Sequence, residues 1–178
     1  MAIVLIESVN LTTTTTVVEF SNIPQDYTHL KVVWTARVNS SPTNPTMWMT
    51  INNDTSGSGY TYRAMFFDDT QIEGTGSDGQ SSFLMQHGSA RSDSITNDTY
   101  ATGIANLANY TKSGAGGGFS SFQAREGDTT SSNRFGIAMS GGVRTNTSAV
   151  TNIKFRVDSI SSPATLVSGS SFQLYGIV

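Results

Sequence analysis

The side chains best suited to chemistry gather once, at Asp68, Asp69, Glu73 and Asp78, four carboxylates inside a glycine-rich stretch. A hard cation wants oxygen donors of this kind, but Ca²⁺ takes roughly six to eight of them and the spacing does not follow an EF-hand loop. A solvated hairpin loop is the reading these residues favour. Asp68 and Asp69 could work as acid and base on a glycosidic bond only if the fold set them across a sugar. His29, at the start of a strand, and His87, between Gln86 and Gly88, have no acid, base and nucleophile types around them, so both read as surface or structural hydrogen-bonding residues. Gly114-Ala115-Gly116-Gly117-Gly118 invites a phosphate-loop reading. No Lys-Ser or Lys-Thr ends it, however, and Phe119 stands where a dinucleotide fingerprint needs glycine, which leaves a turn between strands. Cysteine is absent, which removes thiolate nucleophiles, disulfides and thiolate metal ligands together. The inventory points away from an enzyme, and no catalytic, metal-binding or cofactor-binding residue and no cofactor is expected.

The surface expected of this chain is unusual. Charged residues are 13% of its 178 positions, whereas about 25% is ordinary for a soluble domain, and 25 Ser, 24 Thr and 12 Asn take their place. Net charge is -3, so no basic footprint for nucleic acid or for an anionic membrane is present. Six N-x-S/T triplets, at Asn10, Asn39, Asn53, Asn97, Asn109 and Asn146, are expected by chance in such a composition. Met1-Ala2-Ile3-Val4-Leu5-Ile6-Glu7 lacks the basic start and cleavage site of a signal peptide and reads as the first strand. No apolar segment approaches the length of about 20 residues that a membrane helix needs, so a soluble or particle-bound protein is expected.

The elements that must position these residues follow a period of two. Strands are predicted over Ala2 to Ile6, Thr14 to Phe20, Leu30 to Val38, Thr46 to Asn52, Tyr60 to Phe67, Ser82 to Gln86, Tyr100 to Tyr110, Gly118 to Arg125, Phe135 to Ser140, Thr151 to Val157 and Phe172 to Ile177. They are rich in β-branched and aromatic residues and are separated by Gly, Ser, Asn and Pro clusters, the pattern of a single all-β sandwich or barrel domain. The segment from Asp98 to Ala108 has partly helical spacing, but Gly103 and its β-formers favour a strand. The tract Thr12 to Thr16 reads as a solvent-facing strand edge. The last strand, with Phe172, Leu174, Tyr175 and Ile177, reads as integral to the sheet.

Three strands carry bulky apolar groups on consecutive residues, Val32-Val33-Trp34, Met47-Trp48-Met49 and Ala64-Met65-Phe66-Phe67. Successive strand residues face opposite ways, so both faces are apolar there. One face can be core; the other meets either this chain's own loops or another subunit. Trp34, Met47, Trp48, Met49, Met65, Phe66 and Phe67 are therefore candidates for a subunit or partner interface.

The segment Phe20-Ser21-Asn22-Ile23-Pro24-Gln25-Asp26-Tyr27-Thr28-His29-Leu30-Lys31-Val32 resembles a signature of small structural proteins of tailed bacteriophages: a strand, an Ile-Pro turn, then Tyr-Thr-His-Leu opening the next strand. Asn52-Asn53-Asp54, Tyr60-Thr61-Tyr62, Asn109-Tyr110, Val150-Thr151-Asn152-Ile153 and Ser170-Ser171-Phe172-Gln173-Leu174-Tyr175-Gly176-Ile177 follow in the same order. The resemblance spans nearly the whole chain and is weakest from Glu73 to Asp98. It implies a jelly-roll-like antiparallel β-sandwich, typically a homotrimer, found as a capsid decoration (cement) protein or as the tip of a tail fibre or spike. The implied partners are the major capsid protein or a tail protein of the same virion, with the protein made in the host cytoplasm and resident on the particle surface. No coiled or repetitive stem is present, which favours decoration over the alternative, a tail-tip or receptor-binding module; a glycan-active enzyme is a distant third.

Overall fold

A computed structural model of the chain describes residues 2–39, 46–67, 72–87, 91–92, 100–111, 118–125, 136–158 and 164–178. Among them there are fourteen strands and no helix: β1 (Ile3–Asn10), β2 (Val17–Phe20), β3 (His29–Asn39), β4 (Thr46–Ile51), β5 (Tyr60–Phe67), β6 (Ile72–Gln80), β7 (Phe83–His87), β8 (Arg91–Ser92), β9 (Ala101–Ala108), β10 (Gly118–Arg125), β11 (Gly136–Arg144), β12 (Ile153–Asp158), β13 (Thr165–Leu166) and β14 (Ser171–Ile177). All eleven expected strands have a counterpart, and β6, β8 and β13 are additional. Glu73 and Asp78 thus belong to a strand and not to a solvated loop. Asp68, Asp69, Asp98 and residues 114–117 lie outside the described residues. The threonine tract forms no strand edge beyond a single bridge, Thr15 to Leu166.

Two open sheets pack as a sandwich. The larger runs β1-β14-β3-β9-β10-β11-β5-β6, with β8 and β13 attached to β3, and the smaller runs β2-β12-β4-β7. The pairing has the logic of a long ribbon folded back on itself. β1 pairs β14, β2 pairs β12, β3 pairs β9 and β4 pairs β7, all antiparallel. Rolling that ribbon brings β14 against β3 and β12 against β4, which gives two four-stranded sheets, the jelly-roll arrangement. Two hairpin insertions then lengthen one sheet. β10 and β11 enter between β9 and β12, β5 and β6 between β4 and β7, and all four add beyond β9.

Alternation fixes which side of each strand faces the core. In β3 every second residue from Leu30 to Val38 is buried, and in β14 Phe172 and Leu174 are inaccessible. A one-residue slip would turn all of these to water, so the register is strongly specified. Between the sheets the rings of Trp34 and Phe172 flank Phe155 at 6.3 and 5.5 Å, and Phe20 meets Phe155 edge-on at 6.5 Å. A second cluster sits under the insertions, where Phe83 contacts Tyr60 at 4.7 Å and Phe119 at 4.8 Å. Gly103 leaves room for the indole of Trp34: a Cβ there would stand 2.1 Å from Trp34 Cζ2.

Candidate assembly face

The outer face of the larger sheet is built by register. Reading straight across the strands, Met65 lies opposite Met139, Met139 opposite Phe122, Phe122 opposite Ile104, and Ile104 opposite Val33. Five adjacent strands therefore contribute one apolar side chain each to a single row, about 19 Å long at the usual spacing of ~4.8 Å. The next row repeats the pattern with Phe67, Ile137 and Ala124, and Ile72 of β6 stands beside Phe67. Met65, Phe122 and Met139 are each about half exposed, at 48%, 47% and 51%, and Ile72 is 69% exposed. Phe122 is the informative member. Its strand also carries Phe119, three residues earlier and on the opposite face, which is stacked into the core.

The face is not flat. Gly141 has no side chain to place beside Ser120, which leaves a hollow of about 390 Å³ lined by Arg63, Met65, Ser120 and Met139. A second hollow of about 260 Å³ lies across the Phe122 ridge, over Val33, Thr35, Thr102 and Ala124. Beneath them the hydroxyls of Ser121 and Ser140 bond to each other at 2.6 Å, so the buried polar pair is satisfied internally. Arg63 at the rim reaches Asp78 of β6 with two contacts, 3.0 and 3.4 Å. The Arg63 hydrogen bond, and then its charge, hold the Asp78 carboxyl below the usual carboxylate range and push the guanidinium up. Both groups are about two-thirds exposed, so the pair orders the edge strand without adding much stability.

The expected interface residues divide. Trp34, Met47, Met49 and Phe66 are buried by the chain's own sandwich, and Thr46 and Thr50 are buried too, so β4 is covered on both faces. Trp48 is half-buried, edge-on to Tyr62 at 6.5 Å and 5.6 Å from the guanidinium carbon of Arg156, a cation–π arrangement. Met65 and Phe67 alone of the seven reach the outer face of the larger sheet. Sequence reasoning missed Ile104, Phe122, Ile137 and Met139, because each is a lone apolar residue until pairing sets them side by side. The one local signal was the Phe119/Phe122 spacing, which a strand can only place on opposite faces.

Two titratable groups away from this face have structural partners. His29 accepts the Asn109 amide on Nδ1 at 3.2 Å, which caps the turn after β9. Arg144 is buried and donates to the Ser148 carbonyl; burial pulls its pKa down, and the nearby Tyr60 and Asp54 push it back up. No group of three or more His, Cys, Asp or Glu able to hold a metal ion occurs among the described residues. No helix among them is long and apolar enough to cross a membrane. No protein-family model, curated protein or solved structure matches this chain.

Proposed function

We propose that the chain is a non-enzymatic structural protein of a bacteriophage particle, a decoration (cement) module that docks as a homotrimer on the outside of the head, with the major capsid protein as its partner. One observation carries this reading: the four strands added to the jelly roll bear an outer face on which Met65, Phe122, Met139 and Ile72 are exposed side by side. A contiguous apolar face of this kind marks a contact surface. Nothing comparable gathers acids, bases or nucleophiles in one place among the described residues. The resemblance of Phe20 to Val32 and of Ser170 to Ile177 to phage structural proteins supplies the setting, and the charge-poor, hydroxyl-rich surface suits attachment by shape and apolar burial.

The test is reattachment. Recombinant protein mixed with heads from which it has been stripped or genetically removed should bind saturably and in a fixed ratio to the major capsid protein. Binding confined to tails would favour the tail-tip role, and no binding to either would overturn the reading.

A further inference from the structure

Among the described residues β1 pairs only β14, and Ile3, Val4 and Leu5 along it are 58%, 41% and 52% exposed. Edge strands are normally blunted by charge or proline. β6, the opposite edge of the same sheet, carries Glu73 and Asp78, whereas β1 has only Glu7, past its apolar tip. The backbone of that tip is open as well. The Val178 amide donates to the Ala2 carbonyl, and Ile3, Val4 and Leu5 lie opposite Ile177, Gly176 and Tyr175. Bonded and non-bonded pairs alternate along an antiparallel ladder, so Val4 directs its peptide groups to Gly176 and those of Ile3 and Leu5 point away from the sheet.

We infer that this edge binds the same edge of a second copy, β1 against β1 across a two-fold axis centred on Val4. A row of open N–H and C=O groups calls for another extended backbone. The spacing of the open groups selects the register. With Val4 opposite Val4, Ile3 of each copy meets Leu5 of the other, and each such pair exchanges two hydrogen bonds between groups that are otherwise unpaired. Every side-chain pair so formed is apolar: Ile3 with Leu5 on the outer face, beside Tyr175 and Ile177, and Val4 with Val4 on the other. Registers centred further along bring Glu7 toward its own copy and run into the bulge between Leu5 and Glu7, where the alternation breaks. The register centred on Val4 keeps the two Glu7 carboxylates roughly 20 Å apart. A patch that meets itself makes an isologous contact. It is therefore additional to the three-fold assembly proposed above, and it leaves the Met65–Phe122–Met139 face free for the particle.

The chain has no cysteine, so a single introduced thiol reports the contact. Val4 and its copy form a non-hydrogen-bonded pair with Cα atoms about 4.5 Å apart, within the range that a disulfide spans. Purified Val4→Cys protein under mild oxidation should become a two-chain species on a non-reducing gel. Ser8→Cys, exposed on the same strand and roughly 25 Å from its copy, should remain single chains. Mixing Ile3→Cys with Leu5→Cys should crosslink where neither does alone, which fixes the register. Far-UV circular dichroism checks folding; if Val4→Cys disturbs it, that mixture carries the test. Adding Leu5→Lys to Val4→Cys should abolish the disulfide, because a lysine blunts the edge. Single chains from folded Val4→Cys, equal crosslinking at Val4 and Ser8, or a disulfide that survives Leu5→Lys would overturn the inference. Sedimentation equilibrium of the unaltered protein tests the homotrimer separately: a Val4→Cys disulfide in a protein that forms no trimer keeps the β1 contact and overturns the three-fold assembly.

Discussion

Replacing Gly103 with alanine should cost far more than one methyl group suggests. The added Cβ would lie 2.1, 2.4 and 2.8 Å from three atoms of the Trp34 indole, where ordinary contact begins near 3.4 Å. The ring has no exit. Trp34 is 1% exposed and lies against Phe155 at 6.3 Å, and Gly103 is its direct cross-strand neighbour, so relief means parting β3 from β9 or displacing Phe155. Overpacking a core costs about 1–3 kcal/mol and occasionally more, and so severe an overlap belongs at or above the top of that range. This is a large part of a domain stability of about 5–15 kcal/mol. Urea unfolding followed by far-UV circular dichroism measures it. The control is a double-mutant cycle with Trp34→Leu, which empties the space that the new methyl needs. Trp34→Leu alone should cost a few kcal/mol through the cavity it leaves, roughly in the 2–5 kcal/mol range of large-to-small core changes. In that background Gly103→Ala should be close to neutral, giving a strong coupling. A cost below about 0.5 kcal/mol, or an equal cost in both backgrounds, would refute the contact and with it the β3–β9 register on which the outer face depends.

Deleting residues 172–178 should leave the protein insoluble, because it removes β14 from between β1 and β3 along with the inaccessible Phe172 and Leu174, each worth roughly 1.5–3 kcal/mol; a soluble truncation with an unchanged melting temperature would mean that the strand is not integral. Glu19 accepts from the Asn152 side chain at 2.5 Å and pairs with Lys154 at 3.3 Å, and these, the Asn152 bond foremost, hold its carboxyl below the ordinary 4.5. A lowered folded pKa adds stability above the unfolded value and loses it as pH falls through the folded one, so Glu19→Gln should flatten the acid side of the stability curve and leave its shape above pH 6 unchanged. An unaltered acid limb in that variant would contradict the pairing. Attachment to the particle should barely weaken between about 0.05 and 0.5 M salt, over which the Debye length falls from about 14 to about 4 Å; release of most copies by salt alone would place charges such as Lys31, Arg63, Arg91 and Arg125 at the docking face.

Much of the sandwich was legible because the strands are rich in β-branched and aromatic residues, and burial in β3, β5 and β14 alternates along them with anchors such as Leu30, Trp34, Tyr60, Phe66, Phe172 and Leu174. β6 was not. Gly74, Gly76 and Gly79 beside Glu73 and Asp78 carry every local mark of a loop, yet the strand is held by its pairing to β5, where Gly76 lies under the Arg63 stem that a Cβ would have to push aside. Consecutive apolar residues correctly signalled double-faced strands but could not say what covered each face. In β4 both faces are closed within the chain, whereas in β5 Phe66 turns inward and Met65 outward. The outer row itself depends on β5 lying beside the β10–β11 hairpin, from which it is distant in sequence, information that resides in the pairing and in no single segment.

The most direct test of the central claim is to count the protein in purified phage by quantitative mass spectrometry against the major capsid protein. The account predicts a fixed ratio set by three-fold sites on the head, with heads and whole particles giving the same value. A handful of copies that travel with the tail fraction, or absence from particles altogether, would contradict it.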